Sequence, residues 1–134
     1  LATGEMIQNK VMFKQFIENK SLDYCQIDSC RIASLNEIIP VLLMASKFNT
    51  PVIPHAGGIG LCEYVQHLNL INKFIITNND LSLSEYAESC SEHFENPAII
   101  KNGGYVTPTS PGYSVKIKES SLEEFDFNNG EYWN

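Results

Sequence analysis

The stretch that decides the fold is Val52-Ile53-Pro54-His55, a short strand-like run that ends on an imidazole side chain. Two earlier stretches follow the same plan, Ala2-Thr3-Gly4-Glu5 and Gln26-Ile27-Asp28, and each is followed by a helix-like segment. The intervals between the three ionisable groups are 23 and 27 residues, about what one strand-plus-helix unit needs. The repeat therefore predicts parallel strands that carry three chemically active groups on one rim of a sheet: Glu5, Asp28 and His55.

The hydrophobic pattern predicts alternating strands and helices over residues 1–95. Ser34, three residues before Glu37, is the predicted N-cap of the second helix. The predicted helices are Gln8–Lys20, Leu35–Phe48, Gly57–Ile71 and Leu83–Phe94, and the strands after the first are Leu22–Asp28, Pro51–Pro54 and Phe74–Thr77. This order is typical of parallel strands joined by right-handed crossovers. We expect an α/β fold, with these four units forming half of a (β/α) TIM-type barrel.

Residues 96–134 have a different texture, in which Gly, Pro and Asn-Asn-Gly breaks alternate with aromatic residues. Such frequent breaks favour irregular structure over long helices or strands. We therefore divide the chain into a half-barrel at 1–95 and an extended C-terminal arm at 96–134. The arm is expected to pack on a domain that this sequence does not contain.

The charge, the apolar runs and the cysteine spacing exclude several classes of function. The chain has 134 residues, nine of them Lys or Arg, and a net charge of -7, which argues against nucleic acid and anionic membranes as partners. The longest apolar runs are too short to span a bilayer. The four cysteines form no CxxC pair and no paired zinc-ligand spacing, so we expect reduced, buried cysteines in an intracellular protein, cytoplasmic or mitochondrial.

Each candidate site residue also has an ordinary structural interpretation. Glu5 is either a metal ligand or a carboxylate that favours a helix N-terminus. Asp28 either orients a neighbouring imidazole or forms a salt bridge with Arg31. His55 either forms an acid–base dyad with Asp28 or caps the next helix. Glu85 is either an acidic group near the site, because it follows the last predicted strand, or a helix-surface residue.

The remaining candidates are interpreted as structural. His67 lies inside a predicted helix and His93 near the end of another, where a partly positive ring suits the helix dipole. Glu63 is expected on a helix surface. The run Gly57-Gly58-Ile59-Gly60 lacks the spacing of a phosphate-binding loop and is predicted to be a tight turn before a helix.

Three motifs resemble the enolase superfamily: Gly4-Glu5-Met6-Ile7-Gln8-Asn9, Gln26-Ile27-Asp28-Ser29-Cys30-Arg31 and the long run from Pro54 to His67. Within it, the sequence is similar to the mandelate racemase branch and to its L-fuconate dehydratase-like members. The resemblance continues through Glu85-Tyr86, His93-Phe94 and Pro111-Gly112-Tyr113-Ser114. It implies barrel strands five to eight, with the capping domain and the earlier strands outside this sequence.

The resemblance also implies roles for four residues. Glu5 corresponds to the fifth-strand ligand of a Mg²⁺ ion held by three carboxylates, and Asp28 and His55 to the sixth- and seventh-strand catalytic pair. Glu85 corresponds to an acidic residue that contacts substrate, as His55 does. The implied reaction removes the proton α to the carboxylate of a sugar acid, gives an enediolate stabilised by Mg²⁺, and expels the β-hydroxyl as water with His55 as general acid, which yields a 2-keto-3-deoxy acid.

Two functional hypotheses follow. The first is the C-terminal part of a Mg²⁺-dependent sugar-acid dehydratase, whose ligand is a small sugar acid. This hypothesis leaves open whether the full-length protein is a monomer or a homo-oligomer. The second is a non-catalytic half-barrel or interaction module, because no Lys-x-Lys base motif and no two further metal carboxylates accompany the predicted strands. The one Lys-x-Lys run, Lys116-Ile117-Lys118, lies in the arm. By either hypothesis, we expect these 134 residues alone to be inactive.

Overall fold

The computed structural model describes residues 1–77, 82–87 and 89–133. Its helices are α1 (Lys10–Glu18), α2 (Leu35–Lys47), α3 (Leu61–Ile71) and α4 (Glu119–Phe125). Its strands are β1 (Ala2–Thr3), β2 (Tyr24–Cys25), β3 (Ile100–Lys101) and β4 (Gly104–Tyr105). A π-helical turn covers Asn72–Thr77, and 3-10 turns cover Ser91–His93 and Glu131–Trp133. Within the described ranges, no helix is both long enough and apolar enough to cross a membrane.

The first three strand-like segments lie side by side and run in parallel, as predicted. Thr3 of β1 pairs with Cys25 of β2, and Cys25 bridges Val52 on its other side. The ladder continues beyond these pairs, because the amide of His55 donates to the carbonyl of Ile27 at 2.9 Å. The strand after α2 is thus in register with β2 up to the candidate site.

Two helices cover this ladder and form the main core with it. Phe13 of α1 and Leu42 of α2 are completely buried, as is Ile27 beyond β2. Burying one such side chain is worth about 1.5–3 kcal/mol. The predicted helices Gln8–Lys20 and Leu35–Phe48 are therefore confirmed with ends trimmed by one or two residues, because both apolar faces meet the sheet.

The N-terminus of α2 lacks the predicted capping hydrogen bonds. Ser34 occupies the N-cap position of α2, but its side chain makes no capping hydrogen bond. Glu37, the expected partner of Ser34 in a capping box, instead reaches across to α1. There its carboxylate accepts hydrogen bonds from the amide of Lys10 at 3.0 Å and from Nζ of Lys10 at 2.7 Å. The carboxylate of Glu37, which was expected to cap its own helix, thus binds the N-terminus of α1 instead.

The predicted strand Phe74–Thr77 is wrong, because these residues continue α3 as a π-helical turn. Asn72 is buried and Ile76, four residues later, packs against the main core, as expected on one face of a helix. The hydroxyl of Thr77 donates to the carbonyl of Asn72 at 3.0 Å. Of the four predicted barrel strands, the described residues therefore contain three.

The predicted helix Leu83–Phe94 is also wrong, apart from the short 3-10 turn near its end. Residues 82–87 form no regular element, and Cys90 has a positive φ of 55° that interrupts a helix. The carbonyls of Glu85 and Ala87 bond side chains from elsewhere in the chain instead of amides one turn later. Glu88, which this prediction included, lies outside the described residues.

The C-terminal arm contains regular structure as well as loops. Strands β3 and β4 form an antiparallel hairpin in which Ile100 pairs with Tyr105. The two residues at its turn, Asn102 and Gly103, both have positive φ, which a tight hairpin turn requires. Helix α4 follows, and His93 bonds it through the hydroxyl of Ser121 at 3.0 Å. Asn134, the last residue of the predicted arm, lies outside the described residues.

Candidate active site

The site lies where the parallel strands end. Asp28 follows Cys25 by three residues, and His55 follows Val52, the residue that Cys25 bridges, by the same number. Equal spacing from paired positions brings the two side chains to the same height above the sheet edge. Glu5 follows β1 at this edge too, since Thr3 pairs with Cys25.

Asp28 and His55 form the predicted hydrogen bond. Oδ2 of Asp28 lies 3.0 Å from Nδ1 of His55, and Oδ1 of Asp28 accepts the amide hydrogen of Cys30 at 2.6 Å. Because Asp28 is buried and both of its oxygens are engaged, the carboxylate holds one orientation. A proton on Nδ1 bonds the carboxylate, which leaves Nε2 as the nitrogen that can exchange a proton with a ligand.

Glu85 joins the dyad from the far side of the imidazole. Its Oε2 accepts a hydrogen bond from the amide of Ala56 at 2.7 Å and lies 4.0 Å from Nε2 of His55. The structure thus brings together three of the four predicted site residues. The space beside Nε2 is bordered by a carboxylate that can accept hydrogen bonds from a hydroxylated ligand.

Gly57 keeps this space open. A Cβ atom at position 57 would lie 2.6 Å from Nε2 and 2.9 Å from Cε1 of His55. Carbon atoms do not approach that closely, so any side chain here would displace the imidazole or be displaced by it. The glycine-rich run is a tight turn, as predicted, but the helix after it begins at Leu61 and not at the predicted Gly57. One of its glycines borders the candidate site.

Glu5 stands apart from the other three residues. Its Oε2 accepts the amide hydrogen of Gly4 at 3.1 Å, and among the described residues no hydrogen bond or ion pair joins it to Asp28, His55 or Glu85. Nor do those residues contain a group of three or more His, Cys, Asp or Glu side chains able to hold a metal ion. The carboxylates present therefore do not make a complete Mg²⁺ site, although Glu5 can supply one ligand to such a site.

Three of the ordinary structural interpretations do not hold for the described residues. In the part of the chain that it describes, Asp28 forms no ion pair with Arg31, and His55 does not cap α3, whose N-cap position is Gly60. Glu5 does not lie at a helix N-terminus, because α1 begins after the N-cap residue Asn9.

Two residues expected to be structural each contact a serine hydroxyl, and a third residue is buried where exposure was expected. His67 contacts the hydroxyl of Ser114 at 3.1 Å, and burial lowers the pKa of His67. His93 bonds Ser121, as described above. The expected surface position of Glu63 is wrong: its side chain is buried, and Oε1 accepts the amide hydrogen of Ala98 at 3.0 Å.

All four cysteines are free, but only two of them match the expected burial. Cys25 and Cys62 are buried, whereas Cys30 and Cys90 are exposed. Burial raises the pKa of Cys25 to about 12, so this thiol is not a nucleophile at neutral pH. Cys62 lies near the site, where its thiol donates to the carbonyl of Ala87 at 3.2 Å.

Parallel strand–helix units with a hydrogen-bonded Asp–His pair at the carboxyl ends of neighbouring strands are typical of the (β/α)-barrel class of proteins. The profile of the family described as "Enolase C-terminal domain-like" matches residues 1–121. The chain belongs to this family, which confirms the resemblance found in its motifs.

Individual relatives agree with this assignment. Mitochondrial enolase superfamily member 1 of Xenopus laevis is 51% identical over 99% of this chain and 30% of its own length. L-galactonate dehydratase of Hypocrea jecorina is 48% identical over 95% of this chain and 28% of its own length. The crystal structure of human mitochondrial enolase superfamily member 1 matches 98% of this chain and 30% of its own chain, with a TM-score of 0.93 and 46% identity. The chain thus spans about 30% of the length of the relatives that it matches.

Proposed function

We propose that this chain is the part of a sugar-acid dehydratase that delivers a proton to the departing hydroxyl. The observation that carries the proposal is the 3.0 Å contact between Asp28 and His55, with Nε2 facing a space bordered by Glu85. A second support is the 48% identity to a protein named L-galactonate dehydratase.

In the proposed reaction, the full-length protein removes water from an aldonic acid and gives a 2-keto-3-deoxy acid. A base supplied outside this chain takes the proton α to the carboxylate, as the family resemblance implies. His55 then gives the proton on Nε2 to the β-hydroxyl, whose C–O bond breaks as water leaves. The enol product takes up a proton at C3 as it becomes the ketone, so one water is lost in total. Asp28 keeps Nδ1 bonded throughout and so fixes the ring.

We propose Mg²⁺ as the cofactor of the full-length protein, with Glu5 as one ligand. The support is the resemblance to the enolase superfamily and the position of Glu5 at the same strand edge as the dyad. Bound Mg²⁺ would stabilise negative charge that develops on the substrate carboxylate. The other ligands would come from outside these 134 residues.

We propose L-fuconate as the substrate, with L-galactonate as its nearest competitor. The two acids share their configuration and differ only at C6, where L-fuconate lacks a hydroxyl, so one acid–base arrangement suits both. The support is the L-fuconate dehydratase-like motif set together with the named activity of the Hypocrea relative. We also propose an intracellular location, supported by the word mitochondrial in the name of the Xenopus relative.

Replacing His55 by Asn in the full-length protein tests the dehydratase proposal. Removal of a general acid is expected to lower dehydration by about 10²–10⁴-fold. Exchange of the α-proton with deuterated solvent should persist, because that step uses the separate base. NMR can follow product formation and α-deuteration in the same sample.

The matched control is His93→Asn, the same chemical change at a histidine outside the dyad, which should retain dehydration. Near wild-type dehydration by His55→Asn would overturn the proposed role of the dyad. A wild-type full-length protein that dehydrates neither acid would instead support a non-catalytic barrel module.

A further inference from the structure

The segment that carries Glu85 is held by contacts from two other parts of the chain. Residues 82–87 form neither a helix nor a strand, so no internal ladder of hydrogen bonds fixes Glu85. Instead, the hydroxyl of Tyr105 donates to the carbonyl of Glu85 at 2.7 Å. The thiol of Cys62 donates to the carbonyl of Ala87 two residues later.

Tyr105 is itself well anchored. It lies in β4, where it pairs with Ile100, and its ring packs against a buried cluster that includes Leu61 and Val65 of α3. The ring of Tyr86 meets it edge-on, with the centroids 5.9 Å apart. Burial raises the pKa of Tyr105, so the phenol keeps its proton and remains a hydrogen-bond donor.

We propose that Tyr105 is a positioning residue that holds the carboxylate of Glu85 beside Nε2 of His55. The hydroxyl of Tyr105 fixes the main chain of Glu85, and this lets Oε2 receive the amide hydrogen of Ala56 while it stays 4.0 Å from Nε2. Tyr105 therefore acts through Glu85 and not by contact with substrate. This inference rests on the proposed function and adds that Glu85 accepts a hydrogen bond from a hydroxyl of the sugar acid bound beside Nε2.

The test is Tyr105→Phe in the full-length protein, which keeps the ring and removes only the hydroxyl. The loss of a neutral hydrogen bond weakens an equilibrium constant by about three- to tenfold. We expect KM for the sugar acid to rise by this factor, with kcat changed less, because the contact that weakens is one made to bound substrate. Tyr132→Phe removes a hydroxyl from an exposed tyrosine and should leave KM unchanged.

A double-mutant cycle separates positioning from general destabilisation. If Tyr105 acts through Glu85, then Tyr105→Phe should raise KM no further in a Glu85→Ala background. An equal further rise in that background, or an unchanged KM for Tyr105→Phe alone, would overturn the proposal.

Amide hydrogen exchange at Ala56 tests the same inference without any catalytic assay. The amide of Ala56 is protected by the carboxylate of Glu85, so Tyr105→Phe and Glu85→Ala should both speed its exchange, by about three- to tenfold for Tyr105→Phe. Tyr132→Phe should not. Faster exchange in a protein that dehydrates neither acid would uphold the positioning role and count against the proposed function. Unchanged exchange in Tyr105→Phe would overturn the positioning role whatever the activity.

Discussion

The two ring nitrogens of His55 have different surroundings. One nitrogen bonds a buried carboxylate, and the other faces a space that exists only because residue 57 has no side chain. The first arrangement was predictable from the sequence, because strand ends at matched spacing meet at one edge. The second was not, since it depends on how the chain turns back over the ring.

At this scale we predict that Gly57→Ala displaces the imidazole of His55. The added methyl group would lie 2.6 Å from Nε2, so the ring must rotate and lose its alignment with Asp28. A misplacement of about 1 Å can lower the rate by about 10²-fold, and kcat for dehydration by the full-length protein should fall by about this factor. The measurement is steady-state kinetics together with a thermal unfolding midpoint, which should change little.

Gly58→Ala is the matched control for Gly57→Ala. Its Cβ would lie 3.2 Å from Cδ1 of Leu61, the end of a flexible side chain that can move by a few tenths of an ångström. The rate should therefore fall much less than for Gly57→Ala. Equal losses for the two variants would mean that the whole turn, and not the space beside Nε2, limits activity.

Other single-residue assignments depended on contacts that no local pattern encodes. Tyr105 contacts Glu85 from twenty positions away, and Glu63 is buried by the main chain at Ala98. A charged residue in a helix is normally exposed, so the sequence offered no reason to bury Glu63. The tyrosine is one of six in the chain, and nothing in the sequence distinguishes it from the others.

Helices α1 and α2 were predictable from the sequence, whereas the helical turn at Phe74–Thr77 was not. The apolar stripes of α1 and α2 are local signals, and both helices form where those stripes predict them. Phe74–Thr77 is a short apolar run in a β-branched sequence, and such runs do not distinguish a strand from a buried helix. The buried side chain of Asn72 and the partly buried side chain of Ile76, four residues later, lie on one face of a helix.

The sequence of the arm contains a turn motif that indicates the hairpin of β3 and β4. Asn102-Gly103 between two short apolar segments is the strongest short-range indication of a tight hairpin, and the structure forms β3 and β4 on either side of it. The expectation of few regular elements followed from the density of Gly and Pro residues, which also marks tight turns between strands.

At the scale of elements we predict that Asn9→Ala destabilises the protein and that Ser34→Ala does not. Oδ1 of Asn9 accepts the amide hydrogen of Met12 at 3.0 Å, whereas Ser34 makes no capping bond. Loss of an N-cap bond costs about 1 kcal/mol. Urea unfolding of the two variants of the full-length protein gives the comparison, and equal midpoint shifts would contradict it.

At the scale of the whole molecule, the chain is an acidic set of barrel units that carries the Asp28–His55 dyad. Its net charge is -7, and among the described residues no three metal-binding side chains converge. The three parallel strand segments were predictable because each unit repeats one local pattern. A complete Mg²⁺ site was not predictable from these residues, because the family resemblance implies three carboxylates and only Glu5 matches one of them.

At this scale we predict that Glu5→Gln in the full-length protein weakens Mg²⁺ binding at least about tenfold. An amide cannot supply the negative charge that offsets the dehydration of Mg²⁺. Isothermal titration of Mg²⁺ without substrate measures the effect. Glu18→Gln is the control, since Glu18 is exposed on α1 beside Lys14. Unchanged Mg²⁺ affinity for Glu5→Gln would remove Glu5 from the ligand set.

The pairing of Cys25 with Val52 also limits how the gene can change length. Asp28 and His55 each follow their paired residue by three positions, so one codon inserted or deleted within either interval turns one side chain to the opposite face of the sheet. The loops around α2 carry no such restriction, because extra residues there leave the register intact. Length variation among descendants of this gene should therefore accumulate between residues 31 and 50, outside α2 itself, and be absent from 25–30 and 51–55.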